Sequence, residues 1–141
     1  SEIAMLMHVA DSMRFTVNTF THILEGYKVA PAMKAHGASA STFSDWWAYK
    51  QEVNEAIPYN AALLHRNGVN TGINSDDAEM SRRLNQEAAK AVKYGGVSAE
   101  EAWKMGTFKP ARMLGVDHRL GSIETGKDAE LVLWNTAPLR I

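Results

Sequence analysis

Residues 14–22 read Arg14-Phe15-Thr16-Val17-Asn18-Thr19-Phe20-Thr21-His22, and the alternation in this stretch decides the fold. Phe15, Val17, Thr19 and Thr21 fall on one face of an extended chain, and β-branched and aromatic residues at a period of two predict a strand over residues 14–21. Residues 25–35 then carry Val29 and Met33 on one helical face, with Gly37 as a stop. The same order recurs twice. A strand of small residues over 38–43 is followed by a helical stripe over 49–67, made of Val53, Ala56, Ile57, Asn60, Ala61 and Leu64. Pro58 cannot sit inside an unbroken helix, so a break is expected near Ile57, with Pro58 in the first turn of a new helix. A third strand over 69–74 leads into a helix over 77–94, with Met80, Leu84, Ala88 and Val92 at successive i+4 steps and Gly95-Gly96 as its end.

Strand, helix, strand, helix, strand, helix is the mark of parallel βα units. The strand ends fall near residues 22, 44 and 76, about 27 residues per unit, against roughly 31 for a (β/α)8 barrel of ~250 residues. Three strands cannot close such a barrel. Outside the array, Ile3, Leu6, Met7 and Ala10 predict an N-terminal amphipathic helix, and Ser98-Ala99-Glu100-Glu101 is a capping box that starts another. A further helix is expected to begin at Pro110 and end by Gly115. Beyond Leu120 the pattern changes: Gly121 and Gly126 flank a turn, and residues 129–134 form a continuous β-run, which together suggest a hairpin. The chain starts inside a helical pattern and stops as abruptly, so both ends read as cuts.

Composition narrows the function classes. The 141 residues are 45% apolar and 22% charged with a formal net charge of −1, the balance of an ordinary globular protein. Near-neutral charge gives no footprint for nucleic acid or anionic lipid. There is no cysteine, hence no disulfide and no thiolate metal site. No apolar run approaches the ~20 residues of a membrane span, and no secretory signal pattern opens the chain. The expectation is a soluble protein, cytoplasmic by default.

In parallel α/β architectures functional groups gather at the C-terminal ends of strands. His22 ends the first predicted strand and Asp76 the third. Imidazole and carboxylate are ordinary ligands of a divalent ion such as zinc, and a carboxylate beside metal-bound water is placed to act as general base. A purely structural reading stands beside this one: Ser75-Asp76-Asp77 before a helix is also a cap, though one residue suffices for it and Asp77 fits better.

Four segments carry a family resemblance: residues 21–30 around Thr21-His22-Ile23-Leu24-Glu25-Gly26, Asn74-Ser75-Asp76-Asp77-Ala78-Glu79, residues 105–115 from Met105-Gly106-Thr107 to Gly115, and Gly121-Ser122-Ile123-Glu124-Thr125-Gly126-Lys127-Asp128-Ala129-Glu130-Leu131-Val132-Leu133-Trp134. In that order and spacing they resemble the amidohydrolase superfamily, in its imidazolonepropionase-like branch. The resemblance implies the C-terminal part of a (β/α)8 barrel, about strands six to eight, over residues 1–117, with residues 118–141 as a β-segment of the accessory sandwich. It implies hydrolysis of amide or cyclic C–N bonds with one or two divalent metals, usually zinc. His22 then corresponds to a ligand of the second metal, and Asp76 to the strand-eight aspartate that ligates the first and takes a proton from the attacking water. The family's H-x-H pair, its bridging carboxylated lysine and its strand-five histidine have no counterpart here; His8, in the first helix, does not supply one.

Glu25, Tyr27 and Lys28 follow His22 as substrate-contact candidates, with a solvated Glu25–Lys28 pair as the alternative. Trp46 and Trp47 are read as a pocket wall or as packing against a helix, Lys127 and Asp128 as turn chemistry, and Met80, Met105 and Met113 as core. A competing reading is a non-catalytic α/β interaction module, or an inactive fragment without the H-x-H site. Open strand edges and an exposed apolar face predict a homo-oligomer, or association with the N-terminal remainder of the fold.

Overall fold

In the computed structural model, which describes residues 1–140, three strands form one parallel sheet in the order β1-β2-β3: β1 (Thr19–Phe20), β2 (Ser39–Thr42) and β3 (Thr71–Ile73). Thr19 pairs with Ser39 and Phe20 with Ala40, while Ala40, Ser41 and Thr42 pair with Thr71, Gly72 and Ile73. Every residue of β2 is buried, as expected for a central parallel strand covered on both faces. Its small side chains let helices approach from either side.

The βα array is therefore as the pattern predicts, with boundaries moved by local chemistry. β1 is short because residues 14–17 close the preceding helix instead: Arg14 is the left-handed cap of α1 (Glu2–Met13, φ 61), and Phe15 N–H donates to the Ala10 carbonyl. The Val17 N–H donates to His36 Nε2, whose other nitrogen lies 2.7 Å from Asp11. Each predicted long helix opens with a 3-10 turn (Gly26–Val29, Gln51–Val53, Met80–Arg83) before α2 (Ala30–His36), α3 (Asn60–Arg66) and α4 (Leu84–Lys93). Pro31 lies in the first turn of α2, where its missing N–H costs nothing. The break at Pro58 is present, with α3 beginning two residues later. α5 (Ala99–Gly106) has the predicted Ser98 cap, whose hydroxyl accepts from Glu101 N–H at 3.2 Å. α6 (Phe108–Met113) encloses Pro110, and Gly115 follows at φ 70.

Three apolar clusters hold the layers. Met7, Met33, Leu64 and Val69 pack α1 and α2 on one side of the sheet, while Ile73, Ala88, Ala91, Ala102 and Met105 join β3 to α4 and α5. Leu24, Phe43, Val53, Ala56 and Met80 form the third, beyond the C-terminal strand ends.

The expected C-terminal hairpin is not formed. Residues 119–128 instead make a closed turn: Asp128 N–H donates to the Arg119 carbonyl, and its carboxylate takes two hydrogen bonds from the Arg119 guanidinium. Lys127 donates to Ser122 Oγ and Glu124, so Lys127 and Asp128 are the turn chemistry expected of them. The Glu130 N–H turns back to the Asp128 carbonyl, and no strand among the described residues lies alongside 129–134 to pair with it. Leu133 is fully exposed in consequence. Trp134 meets Trp103 edge to face, and Asn85 donates to the Pro138 carbonyl, which ties the tail to α4 and α5.

Candidate functional site

The sheet brings His22 and Asp76 together. They leave strands that are not neighbours, yet His22 Nδ1 lies 3.7 Å from Asp76 Oδ1 across the end of β2. His22 reaches this position through a left-handed backbone (φ 58), a conformation that costs a non-glycine residue free energy and persists where the surroundings hold it. The Ile23 N–H, donating to the Ser41 carbonyl, and the His22 ring, edge-on to Phe43 at 5.9 Å, are what hold it. The side chains are 40% and 54% exposed, so their contact contributes under about 1 kcal/mol to stability. Their juxtaposition is open to solvent and available to a ligand.

The capping question resolves in favour of Asp77. Its Oδ1 accepts from the N–H groups of Glu79 and Met80, both at 2.9 Å, and Ser75 Oγ accepts from its N–H. Asp76 is left out of the cap. The neighbouring Asn74, at the end of β3, has both amide atoms buried without a partner. Nothing in its residue type announced this, because an unpaired buried amide is a property of its surroundings.

Glu25, Tyr27 and Lys28 form a latch. Lys28 donates to Glu25 at 2.5 Å and also to the Glu55 carboxylate; Glu55 N–H donates to Glu25 Oε1, and the Tyr27 hydroxyl donates to the Glu55 carbonyl. The Lys28 ammonium, and secondarily the Glu55 N–H, hold the Glu25 carboxyl below its ordinary range, while Glu25 and Glu55 raise Lys28 above its own. The Glu25–Lys28 pair is thus present and recruits a third member that the sequence did not indicate. Asn60 anchors the latch from below: it accepts from Tyr27 N–H and donates to the Ile23 carbonyl and Thr42 Oγ1, with only 2% of its surface exposed. A second buried anchor is Glu87, which accepts from Ser44 N–H at 2.8 Å and pairs with Lys90, itself paired with Asp45. Asn60 lay within a helical stripe and Glu87 beside one, and a single polar residue in either place carries little signal.

A cavity of about 540 Å³ lies at the opposite, N-terminal ends of the strands, lined by Asn18, Ser39, Asn70, Lys34, Lys109 and Arg112 among others. Lys34 and Arg112 occupy the last turns of α2 and α6, where helix C-termini attract cations. That suffices to explain them, and the chemistry-bearing pair is at the other end.

His22 and Asp76 fit part of a metal centre. Two donors 3.7 Å apart can each approach one ion at the ~2.0–2.2 Å usual for zinc with only small adjustment. A catalytic zinc normally keeps three protein ligands, and no group of three or more such side chains exists among the described residues. The pair by itself falls short of that number.

Parallel βα units with polar side chains gathered at the strand C-termini define an α/β protein of the class that carries its functional groups there. More particularly, the chain belongs to the amidohydrolase family, whose profile matches residues 3–140. It is 28% identical to amidohydrolase tasK of Hapsidospora irregularis over 98% of this chain and 14% of that protein. It is 34% identical to the imidazolonepropionase of Thermoplasma acidophilum over 57% of this chain and 20% of that one. An amidohydrolase from Thermotoga maritima MSB8 superposes with a TM-score of 0.87 at 27% identity, covering 97% of this chain and 36% of its own. A prolidase solved with N-methylphosphonate-L-proline shares the fold at a TM-score of 0.61 and 21% identity, with coverage of 86% and 34%. The chain thus spans between about a seventh and a fifth of these curated relatives and about a third of the solved ones.

Proposed function

We propose that this chain contributes the His22–Asp76 part of a metal-dependent centre that hydrolyses amide or cyclic C–N bonds, as units six to eight of a (β/α)8 barrel. The observation that carries the reading is the 3.7 Å approach of two ligand-type side chains from non-adjacent strands, with Asp76 exempt from the helix cap. The resemblance divides His22 and Asp76 between two ions; at 3.7 Å from each other they would instead share one divalent ion, zinc by its one nitrogen and one oxygen donor. Such an ion, when bound, would make water more acidic at neutral pH. The Asp76 carboxylate would be the group that takes a proton from the attacking water and gives one to the departing nitrogen. Glu25, Tyr27 and Lys28, one turn past His22, are placed as a braced rim that touches substrate through its outer edge. The remaining ligands come from chain outside these residues.

In an enzyme containing the whole site, Asp76→Asn is expected to lower kcat by on the order of 10²-fold or more without shifting Tm. Undiminished turnover would remove Asp76 from the mechanism. The 141-residue chain alone is expected to bind zinc weakly and to show no amide hydrolysis, since two ligands do not complete the site; turnover by it would contradict the assignment.

A further inference from the structure

The segment after β2 carries aromatic side chains that the hydrolytic reading leaves unused. Phe43, Trp46 and Tyr49 continue from His22 as one edge-to-face series, with ring centroids 5.9, 5.6 and 5.4 Å apart in turn. Phe43 is buried and fixes the inner end, while Trp46 and Tyr49 are 36% and 50% exposed. These exposed ring faces are open to a ligand group, and covering them would be favourable.

The backbone adds to the case. Trp46 (φ 67) and Ala48 (φ 49) are both left-handed, which is rare for any residue with a Cβ and more so for a bulky one. Such strain survives only where neighbouring contacts impose it, and it concentrates at ligand clamps. Here the contacts are on both flanks. Glu87 holds Ser44 N–H, Lys90 holds Asp45, the Trp47 indole donates to the Ser44 carbonyl, and Ala48 N–H donates to the Val53 carbonyl. On the far side Tyr27 and Lys28 grip Glu55. None of these anchors uses the Trp46 ring, yet together they hold it against Phe43, whose ring meets His22.

We infer that Trp46 and Tyr49 form a specificity shelf, which receives a planar apolar or aromatic group attached to the C–N bond held at His22 and Asp76. An incoming ring completes the edge-to-face series and covers the exposed faces. The shelf selects aromatic amides over aliphatic ones of the same head group. This inference rests on the hydrolytic reading for its position, and its test is independent of turnover and of metal.

Benzamide and acetamide share a carboxamide and differ in the ring. Titrated into the metal-free chain, benzamide should shift the Trp46 indole and His22 ring NMR resonances saturably, with an affinity about 10-fold or more above that of acetamide. Trp46→Gly keeps the left-handed backbone accessible and should preserve Tm while reducing the preference to within about 2-fold. Tyr49→Ala, which leaves the backbone strain untouched, should weaken the preference in part. Equal responses to the two amides in the unaltered chain, or a preference that survives Trp46→Gly, would overturn the shelf. Zinc that leaves His22 unmoved in a parallel titration would count against the metal centre alone, so the two failures are distinguishable.

Discussion

Asn60 shows how one residue can set a site that it does not enter. Its amide satisfies Tyr27 N–H, the Ile23 carbonyl and Thr42 Oγ1 at once, joining the segment after β1 to β2 and to the start of α3. Asn60→Leu deprives the Tyr27 N–H and the Ile23 carbonyl of this partner and leaves Thr42 Oγ1 only its bond to the Phe43 carbonyl, at an expected cost of about 2 kcal/mol, read as a fall in the urea midpoint. A change within 0.5 kcal/mol would mean that water replaces the amide. Glu25 gives a pH-dependent counterpart. Its carboxyl is held below the ordinary 4.5, first by Lys28, so it binds its proton less readily in the folded than in the unfolded chain. The stabilisation is therefore complete above pH 4.5 and is lost as the pH falls through the lower folded value. Tm curves of the chain and of Glu25→Gln should coincide at acid pH and separate above it. Parallel curves over the whole range would dissociate the pair from stability. The sequence brought His22, Asp76 and Asp77 into view because strand ends and caps follow local rules. It did not reveal Asn74 or Glu55, whose roles depend on which loops meet.

At the scale of the elements, the period-two run at 14–21, the short runs at 38–43 and 69–74 and the period-3.6 stripes between them located the strands and helices of the βα array, although β2 and β3 are buried on both faces and do not themselves alternate. These patterns overextended β1 and merged 3-10 turns into helices, because the competing contacts of Arg14 and Val17 lie outside any periodic signal. The hairpin expectation failed for a related reason: β-propensity in Leu131, Val132 and Leu133 makes no strand without a partner edge. Gly121, prominent in the family resemblance, has a physical basis in the turn. At φ 89 an added Cβ would sit 2.8 Å from the Ala111 Cβ and 3.0 Å from the Phe108 Cα, so the turn packs against α6 only through glycine. Gly121→Ala is expected to destabilise by about 2 kcal/mol or more, from strain and overlap together. Gly106→Ala, in α5 with nothing within 4 Å, should be neutral or stabilise by up to about 1 kcal/mol. Equal Tm for the two variants would show that the turn does not dock as described.

For the whole molecule, the family and the parallel α/β architecture were legible from four segments whose order no short motif could imitate. Any further ligands for the ion proposed at His22 and Asp76 were not, because a site assembled from several strands leaves only its local share in any one stretch. Exposed apolar surface is a second property of the whole molecule. Met5, Leu6, Val9 and Met13 lie open on α1, as do Leu131 to Leu133 in the tail, and both β1 and β3 are sheet edges. We propose that this surface associates, with itself or with the remainder of a barrel. Sedimentation should show a concentration-dependent rise in mass that Leu6→Glu with Val9→Glu suppresses; a monomer at all concentrations would contradict it. No described helix is long and apolar enough to cross a membrane. The central claim is that His22 and Asp76 face one divalent ion, and zinc titration followed by imidazole NMR over the five histidines tests it most directly. The account predicts a weak, saturable shift of His22 that Asp76→Asn abolishes, with His8, His36, His65 and His118 unmoved. A His22 resonance that ignores zinc, or one that responds equally in Asp76→Asn, would contradict it.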